Sequence, residues 1–337
     1  MKRIIGLLTV LALTMSLFVG CGGKSTINVG SADSSVASST TSESSNASSA
    51  GNGKNYKVAM IYQNLGTQFN IYFQDVLKAR CNELGVDLIE FDGQGSAEKQ
   101  LSQAENAIQQ KVDVLMFIPQ DKSGCAPIID KANAANIPVI GCNNVTDNID
   151  EATAYVGAND IEAGIMEMEY MAKLLNGKGN IAVIHGPFGH SAEVSRQQGI
   201  VDTLKKYPDI KIIEENTANW DRTQAMQLME NWIQKNGNKI NAVVCHSDDM
   251  AMGALQAIQA AKLDIKAIGV DAIKDALQSV KKGEMSATVF QDVYGQAEGA
   301  IKVAMQILNG EEYKKTTYVP FQLVTQDNAD EYLKNFE

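Results

Sequence analysis

The chain has 337 residues, with 29 Lys or Arg against 40 Asp or Glu, so its formal net charge at pH 7 is −11 with His neutral. This acidic balance argues against nucleic acid as a partner, because binding to phosphates demands clustered Lys and Arg. Roughly 280 residues remain beyond the N-terminal segments described next, which is enough for two α/β lobes.

The first segment has the pattern of an export signal. Met1-Lys2-Arg3 precede the apolar run Ile4–Val19, which breaks at Gly20-Cys21. A secretion signal typically has a basic start, an apolar run and a cleavage-type site directly after that run. A resident membrane span does not have such a site so close to its end. We therefore predict a signal peptide over residues 1–20. Phe18-Val19-Gly20-Cys21 resembles the bacterial lipobox, which implies a diacylglyceryl group on Cys21.

A Ser-rich segment with few charges and almost no large apolar side chains follows Cys21. It cannot bury enough surface to offset the entropy lost on ordering, so we predict a disordered tether over residues 21–55. Signal, lipid and tether together predict a protein anchored on the outer face of the bacterial cytoplasmic membrane. The other cysteines have no Cys-x-x-Cys spacing and are predicted to be small buried side chains instead of disulfide partners or metal ligands. They are Cys81, Cys125, Cys142 and Cys245.

From residue 56 the chain alternates short apolar runs with segments of helical period, which predicts a parallel sheet covered by helices. A polar stretch follows each run, and Cys142-Asn143-Asn144 follows the fourth. The predicted strands are Tyr56–Tyr62, Val86–Phe91, Val112–Ile118 and Ile137–Gly141, and the predicted helices are Phe69–Leu84, Ser96–Gln110 and Asp121–Ala135.

The βα pattern begins again after the short run Tyr155–Gly157, and a repeated series joined at one point suggests two similar lobes. The predicted strands are Ile181–Ile184, Ile210–Glu214, Ala242–Cys245, Lys266–Val270 and Ala287–Phe290, and the final segment with Thr316–Leu323 is expected to return to the first lobe and cross back. The predicted helices are Asp160–Leu175, Ala192–Tyr207, Arg222–Asn236, Met250–Ala261 and Tyr294–Leu308, with one more between residues 271 and 287 and a short one at the C-terminus.

Polar residues follow three of these strands in succession. In an open parallel sheet such positions share one edge, outside which ligands bind. Asp248 or Asp249 is expected to be the N-cap of the next helix, but the convergence of three strand ends predicts a site for a small polar ligand. The polar stretches are His246-Ser247-Asp248-Asp249, Asp271 and Gln291-Asp292.

This layout, with HSDDMAMGALQAI and GVDAIKDALQSVKKGEMSATVFQD as its most specific stretches, resembles the periplasmic sugar-binding proteins of ABC transporters. The galactose/glucose-binding and ribose-binding proteins are the nearest in pattern. The resemblance covers about residues 56–324 and implies the type I periplasmic binding protein fold, α/β, with two doubly wound parallel-sheet lobes joined by a three-stranded hinge. The implied N-terminal lobe is residues 56–156 plus 291–318, and the implied C-terminal lobe is residues 157–290 plus 319–337. The implied crossings lie near Tyr155–Gly157, Gln291 and Tyr318–Pro320.

The resemblance also implies a set of ligand-binding residues. Asp271 and the amides would hydrogen-bond sugar hydroxyls, Arg196 would donate, and two aromatic rings would cover the C–H faces of the sugar. The set is Thr67, Phe69, Asn143, His190, Arg196, Trp220, Ser247, Asp271 and Gln291.

Some positions depart from the galactose/glucose pattern. Thr67 and Ala192 stand where those proteins carry Asp, and Ser247 stands where Asn is usual, which weakens the case for glucose and keeps an unusual polyol open. Residues 175–180 lack the alternating Asp/Asn oxygens and the distal Glu of that relative's calcium loop, so no calcium site is expected.

Several of these residues have a purely structural alternative. Trp220 could belong to the core, and Arg196 could form a surface pair with Glu193, three residues before it on a helix. His190 could cap that helix, and Asn143 could be a turn residue. The histidines at 185, 190 and 246 have spacings that fit no zinc motif and have no acidic cluster beside them in the sequence, so no metal or cofactor is expected.

We therefore predict a monomer that binds a monosaccharide, a hexose or pentose, and delivers it to an ABC permease in the membrane. A cyclitol or other polyol as ligand, or presentation of the ligand to a chemosensory receptor, remains an alternative. The sequence lacks Gly-x-Ser-x-Gly, His-Glu-x-x-His and P-loop motifs, which argues against an enzyme. The export signal in place of a helix-turn-helix argues against a sugar-responsive repressor. Replacing Asp271 or Arg196 by Ala is expected to abolish ligand-induced closure without unfolding the protein.

Overall fold

The structure is a computed structural model that describes residues 55–336. The predicted signal peptide, the lipidation site Cys21 and all but the last residue of the predicted tether lie outside the described residues. Within residues 55–336, no helix is both long enough and apolar enough to span a bilayer.

Strands and helices alternate along the described chain. The elements up to the first crossing are β1 (Lys57–Tyr62), α1 (Gln68–Leu84), β2 (Asp87–Asp92), α2 (Ala97–Gln109), β3 (Val114–Phe117), α3 (Ala126–Ala134), β4 (Val139–Asn143) and β5 (Ala154–Gly157). The remaining elements are α4 (Asp160–Leu174), β6 (Lys178–His185), α5 (Ser191–Leu204), β7 (Asp209–Thr217), α6 (Arg222–Asn236), β8 (Ala242–Cys245), α7 (Asp248–Ala261), β9 (Lys266–Asp271), α8 (Lys274–Lys281), β10 (Ala287–Phe290), α9 (Val293–Asn309), β11 (Thr316–Tyr318), β12 (Gln322–Val324) and α10 (Ala329–Leu333).

These strands form two six-stranded sheets, in the orders β11-β5-β4-β3-β1-β2 and β12-β10-β9-β8-β6-β7. Neighbouring strands run parallel except β12, which is antiparallel to β10. We call the first sheet with α1, α2, α3 and α9 the first lobe, and the second sheet with the other helices the second lobe. The predicted fold class, two parallel-sheet α/β lobes, is confirmed.

Both faces of each sheet are covered, which explains why the central strands are apolar throughout. In β1, Met60 and Tyr62 pack on the side of α1 and α9, whereas Ala59 and Ile61 pack on the side of α2 and α3. The second sheet divides in the same way between α6 and α7 on one face and α4 and α5 on the other. The four cysteines beyond Cys21 are buried and free, as predicted.

The chain passes between the sheets in three places: after β5, after β10, and between β11 and β12. The segment Thr316–Leu323 contains the third of these crossings, at the position near Tyr318–Pro320 that the resemblance implies. Its first part pairs with β5 and its second part with β10. Pro320 lies between the two parts, and since proline has no N–H to donate to a ladder, the strand is interrupted there.

The predicted helix Asp121–Ala135 is too long at its start, because α3 begins at Ala126. The side chain of Asp121 accepts a hydrogen bond from the Gly124 N–H at 2.6 Å and so holds a turn instead. Pro127 then lies in the first helical turn, where its missing N–H has no intrahelical partner to lose.

Candidate functional site

All nine predicted ligand-binding residues line one cleft between the lobes. The space between the lining atoms is about 460 Å³, including the part that opens to solvent. The first lobe contributes Thr67, Phe69 and Asn143, the second lobe contributes His190, Arg196, Trp220, Ser247 and Asp271, and Gln291 comes from the segment that crosses after β10. The lining also includes Gln63, Asn70, Asn144, Ala192 and Asp249.

Four of these lining residues were not predicted as site residues: Gln63, Asn70, Asn144 and Asp249. Gln63 directly follows β1 and Asn144 directly follows β4. Both therefore carry the signal that identified the other strand ends, a polar residue where a parallel strand stops. Asn70 lies in the first turn of α1 and has no comparable signal in the sequence.

Asn143 ends β4 in the left-handed region, with φ of 60°, a conformation that Asn tolerates better than most residues. Its side-chain N–H donates to Gln296 Oε1 at 2.9 Å, and its backbone carbonyl accepts from the Tyr155 hydroxyl at 2.6 Å. These contacts hold the residue at the first lobe's side of the cleft.

His190 joins the two lobes across the cleft. Its Nδ1 accepts a hydrogen bond from the Ala192 N–H at 3.2 Å, so it caps α5 as the structural alternative proposed. Its Nε2 lies 3.3 Å from Gln63 Oε1 and 3.0 Å from Asn144 Nδ2, both in the first lobe. Burial, helped by the charge of Arg196, lowers the pKa of His190 from 6.5 to about 3, so the imidazole is neutral.

Arg196 is buried, with 4% of its surface exposed. Its Nε and Nη2 lie 3.0 Å and 2.8 Å from Asp160 Oδ1, and Nη2 donates to Gln291 Oε1 at 3.0 Å. Its Nη1 donates to the carbonyl of His246. The alternative of a surface pair with Glu193 is therefore wrong. The planar guanidinium ties the start of α4, the end of β8 and the crossing after β10 together.

Trp220 is half-buried beside the cleft and is not a plain core residue. Its ring meets His190 edge-on at 5.2 Å, and the Arg196 guanidinium lies 5.9 Å from the ring centroid. The ring lies so close to Gly186 that a Cβ there would fall 2.1 Å from it. The glycine after β6 is thus needed for the ring to occupy this position.

The acidic residues of the cleft differ in their partners. Asp249 accepts from Arg222 at 2.8 Å. Asp271 has an unusual backbone, with φ of 124°, and burial raises the pKa of its carboxyl well above its ordinary value although Arg196 opposes this. Asp271 therefore presents a poorly solvated carboxyl group to the cleft.

The expectation that Asp248 or Asp249 caps α7 is wrong. The cap is Ser247, whose Oγ accepts from the Met250 N–H at 3.5 Å. Asp248 is instead fully buried and accepts hydrogen bonds from the Thr288 hydroxyl at 2.8 Å and the Ile273 N–H at 3.1 Å. It supports the strand ends from beneath the site.

Two of the three histidines, His185 and His246, come together behind the cleft with Glu193, a grouping that their spacing in the sequence did not indicate. His185 Nδ1 lies 3.0 Å from Glu193 Oε1, and the rings of His185 and His246 are 4.8 Å apart. His190 does not belong to this cluster.

Comparison with known proteins connects this architecture to one family. Residues 58–312 match the model of the periplasmic binding protein domain. The chain is 35% identical to the xylitol-binding protein of Mycolicibacterium smegmatis, over 73% of this chain and 70% of the relative. It is 37% identical to a putative rhizopine-binding protein of Rhizobium meliloti, over 74% and 82%. It is 31% identical to the ribose import binding protein of Bacillus subtilis, over 83% and 90%.

Solved structures give the same result. An ABC transporter solute binding protein from Bacillus halodurans with bound myo-inositol superimposes with a TM-score of 0.80 at 36% identity, covering 84% of this chain and 99% of that one. The myo-inositol binding protein of Caulobacter, also bound to myo-inositol, gives a TM-score of 0.80 at 29% identity, covering 84% and 98%.

Proposed function

The chain belongs to the periplasmic binding protein family, and from that membership we propose that it binds a monosaccharide or polyol in the cleft and delivers it to an ABC importer. The observation that carries the proposal is that hydrogen-bonding side chains from both lobes and from one crossing segment line a single cleft. The names of the relatives, which refer to xylitol and ribose, support this class of ligand.

The proposed ligand chemistry follows from the lining. Amides both donate and accept, so Asn143 and Gln291 suit hydroxyl groups, which do the same. Asp271 is the carboxyl available to a ligand, since Asp249 already has Arg222 as its partner. Trp220 and Phe69 would cover the C–H faces of a ring. An uncharged ring or chain rich in hydroxyls satisfies all of these groups.

A cyclitol is the second candidate within this class. Two solved relatives hold myo-inositol, and this chain lacks two of the carboxylates that the galactose/glucose pattern carries, at Thr67 and Ala192. Fewer carboxylates leave fewer fixed acceptors, which relaxes the requirement for one particular hexose.

In the proposed mechanism the lobes move about the three crossing segments, and ligand favours the closed form by contacting both lobes at once. The residues proposed as lobes are 56–156 with 291–318, and 157–290 with 319–337. We further propose that residues 1–20 are removed on export and that lipid on Cys21 anchors the protein outside the cytoplasmic membrane, where it acts without enzymatic activity.

Isothermal titration calorimetry with ribose, xylitol, glucose and myo-inositol tests the proposal. We expect one of these compounds to bind with one molecule per chain and a dissociation constant near micromolar, about −8 kcal/mol. Asp271→Ala should weaken binding at least tenfold, because ligand hydroxyls lose a desolvated partner. Asp264→Ala, at a carboxylate whose side chain is 86% exposed, is the control and should bind as the wild type does. No heat with any compound, or unchanged binding in Asp271→Ala, would contradict the proposal.

A further inference from the structure

A second cluster of chemically active side chains lies behind the wall of the cleft, in the second lobe. His185 is the last residue of β6, Glu193 is in the first turn of α5, and His246 directly follows β8. All three are buried, and one ligating atom of each lies within 4.8 Å of the others. Rigid elements therefore hold two imidazoles and a carboxylate together.

His246 lacks hydrogen-bond partners. It has no exposed surface, and within the described part of the chain neither Nδ1 nor Nε2 has a partner. Its ring is adjacent to that of His185, at 4.8 Å. A neutral imidazole has one donor and one acceptor, and burying both without partners costs free energy. This position therefore requires a group that the side chains around it do not supply.

We propose that His185, Glu193 and His246 bind a divalent transition-metal ion, with Zn²⁺ as the best match. Two imidazole nitrogens and one carboxylate oxygen are the donor set of many zinc sites, whereas Ca²⁺ and Mg²⁺ prefer oxygen ligands alone. Ligands of a tetrahedral zinc ion lie about 3.4 Å apart. The observed 3.0 Å between His185 Nδ1 and Glu193 Oε1 is close to that spacing.

A second carboxylate is placed to orient His185. Glu215, on the neighbouring strand β7, has Oε2 3.4 Å from His185 Nε2. Metal-bound histidines commonly donate their other ring N–H to a carboxylate, which fixes the ring and selects the nitrogen that faces the ion. With Nε2 directed to Glu215, Nδ1 faces Glu193 and the ion.

The local charge balance is compatible with a cation. The carboxylates of Glu193 and Glu215 lie beside the two ring nitrogens of His185. The neighbouring cation, Arg196, is paired with Asp160 at 2.8 Å. The ion would tie β6, β8 and α5 together behind the cleft, separate from the side chains proposed to touch sugar.

Calorimetry of the untagged full chain, treated with chelator and dialysed, with ZnCl₂ as the titrant tests this proposal. We expect one Zn²⁺ per chain, a dissociation constant at or below micromolar, a raised melting temperature with Zn²⁺, and neither effect with CaCl₂. Glu193→Gln and His246→Gln should each weaken zinc binding at least tenfold. Glu215→Gln should weaken it by about tenfold, as loss of an orienting carboxylate does. Glu230→Gln, an exposed carboxylate on α6, is the matched control and should leave zinc binding unchanged.

Zinc-edge anomalous scattering from wild-type crystals gives a readout that does not depend on the variants folding. The expected peak lies about 2.0–2.2 Å from the ligating atoms of the three residues. A peak elsewhere, an ordered water alone beside His246, absence of zinc binding, or full binding in both Glu193→Gln and His246→Gln would overturn the proposal. Because the titrations contain no sugar, their outcome is independent of sugar binding.

Discussion

The buried guanidinium of Arg196 has a structural role beside its proposed role in ligand binding. The sequence placed it on a helix near Glu193, and spacing alone favoured a pair on the helix surface. In the fold it is paired with Asp160, 36 residues away, and with Gln291, 95 residues away. Contacts over such separations depend on how the elements pack, and local spacing does not encode them.

These contacts change the expectation for Arg196→Ala. From the sequence we expected this variant to stay folded and to lose only ligand-induced closure. Removing Arg196 leaves the Asp160 carboxylate buried without its cation, a type of loss that costs about 3–5 kcal/mol. We expect the free energy of unfolding to fall by about 3 kcal/mol or more, measured by urea denaturation. Arg80→Ala, at a side chain that is 39% exposed, is the control and should lose less than about 1 kcal/mol. Equal losses in the two variants would contradict the assigned role of Arg196.

His190 makes stability depend on pH in a predictable direction. Its pKa is about 3 in the folded protein, and its ordinary value is 6.5. Between these values the unfolded chain binds a proton that the folded chain does not, so stability is complete above pH 6.5 and is lost as the pH falls. The expected loss is about 1.4 kcal/mol per pH unit.

The comparison that isolates this effect is wild type against His190→Gln in urea denaturation at pH 6.5 and pH 4.5. The wild type should lose about 2–3 kcal/mol more than the variant over this range. Carboxylates elsewhere titrate in both proteins, so their contributions to the free energy of unfolding cancel when the two proteins are compared. A difference between the two proteins that stays constant with pH would refute the assignment.

At the scale of elements, alternating apolar runs and helical segments predicted most strands and helices, because doubly covered parallel strands are apolar on both faces. The errors occur where a side-chain hydrogen bond determines where an element begins. Asp121 holds a turn that delays the start of α3, and Ser247 is the N-cap that was expected of its acidic neighbours. Both errors involve side-chain hydrogen bonds to the backbone, which hydrophobic periodicity does not report.

The candidate site shows the same limit. Their positions just after predicted strands identified Asn143, Asp271 and Gln291 as site candidates. Gln63 also directly follows a strand, but it was not predicted as a site residue. Side-chain direction at a strand end depends on backbone angles such as the φ of 124° at Asp271, which spacing does not give. The resemblance to sugar-binding proteins, not the residue pattern by itself, selected Phe69 and Trp220.

Asp292 stabilises the start of α9, directly after the second crossing segment. Its Oδ1 accepts from the Gly295 N–H at 2.8 Å, the usual geometry of an N-cap. Asp292→Ala should lower the free energy of unfolding by about 1 kcal/mol, and Asp292→Ser should restore most of it. Since Asp292 does not line the cleft, ligand affinity in calorimetry should be unchanged. An unaltered stability, or a large loss of affinity with stability intact, would contradict this division of roles.

At the scale of the whole molecule, the two lobes touch across the cleft. The Val145 N–H of the first lobe donates to Ser191 Oγ of the second at 3.1 Å, and His190 meets Asn144 nearby. The ring of Tyr72 on α1 also lies 5.3 Å from that of Phe336 in the C-terminal segment, so polar and aromatic groups both join the lobes. A ligand that bonds to both walls would add its own contacts and favour the closed arrangement.

A crystal structure of the protein with the tightest-binding compound from the calorimetric series tests the central claim most directly. The account predicts one molecule between the lobes, with its ring or chain against Trp220 and with hydroxyls within hydrogen-bonding distance of Asn143, Arg196 and Asp271. The same compound found outside the cleft, or bound to the side chains of one lobe alone, would contradict it.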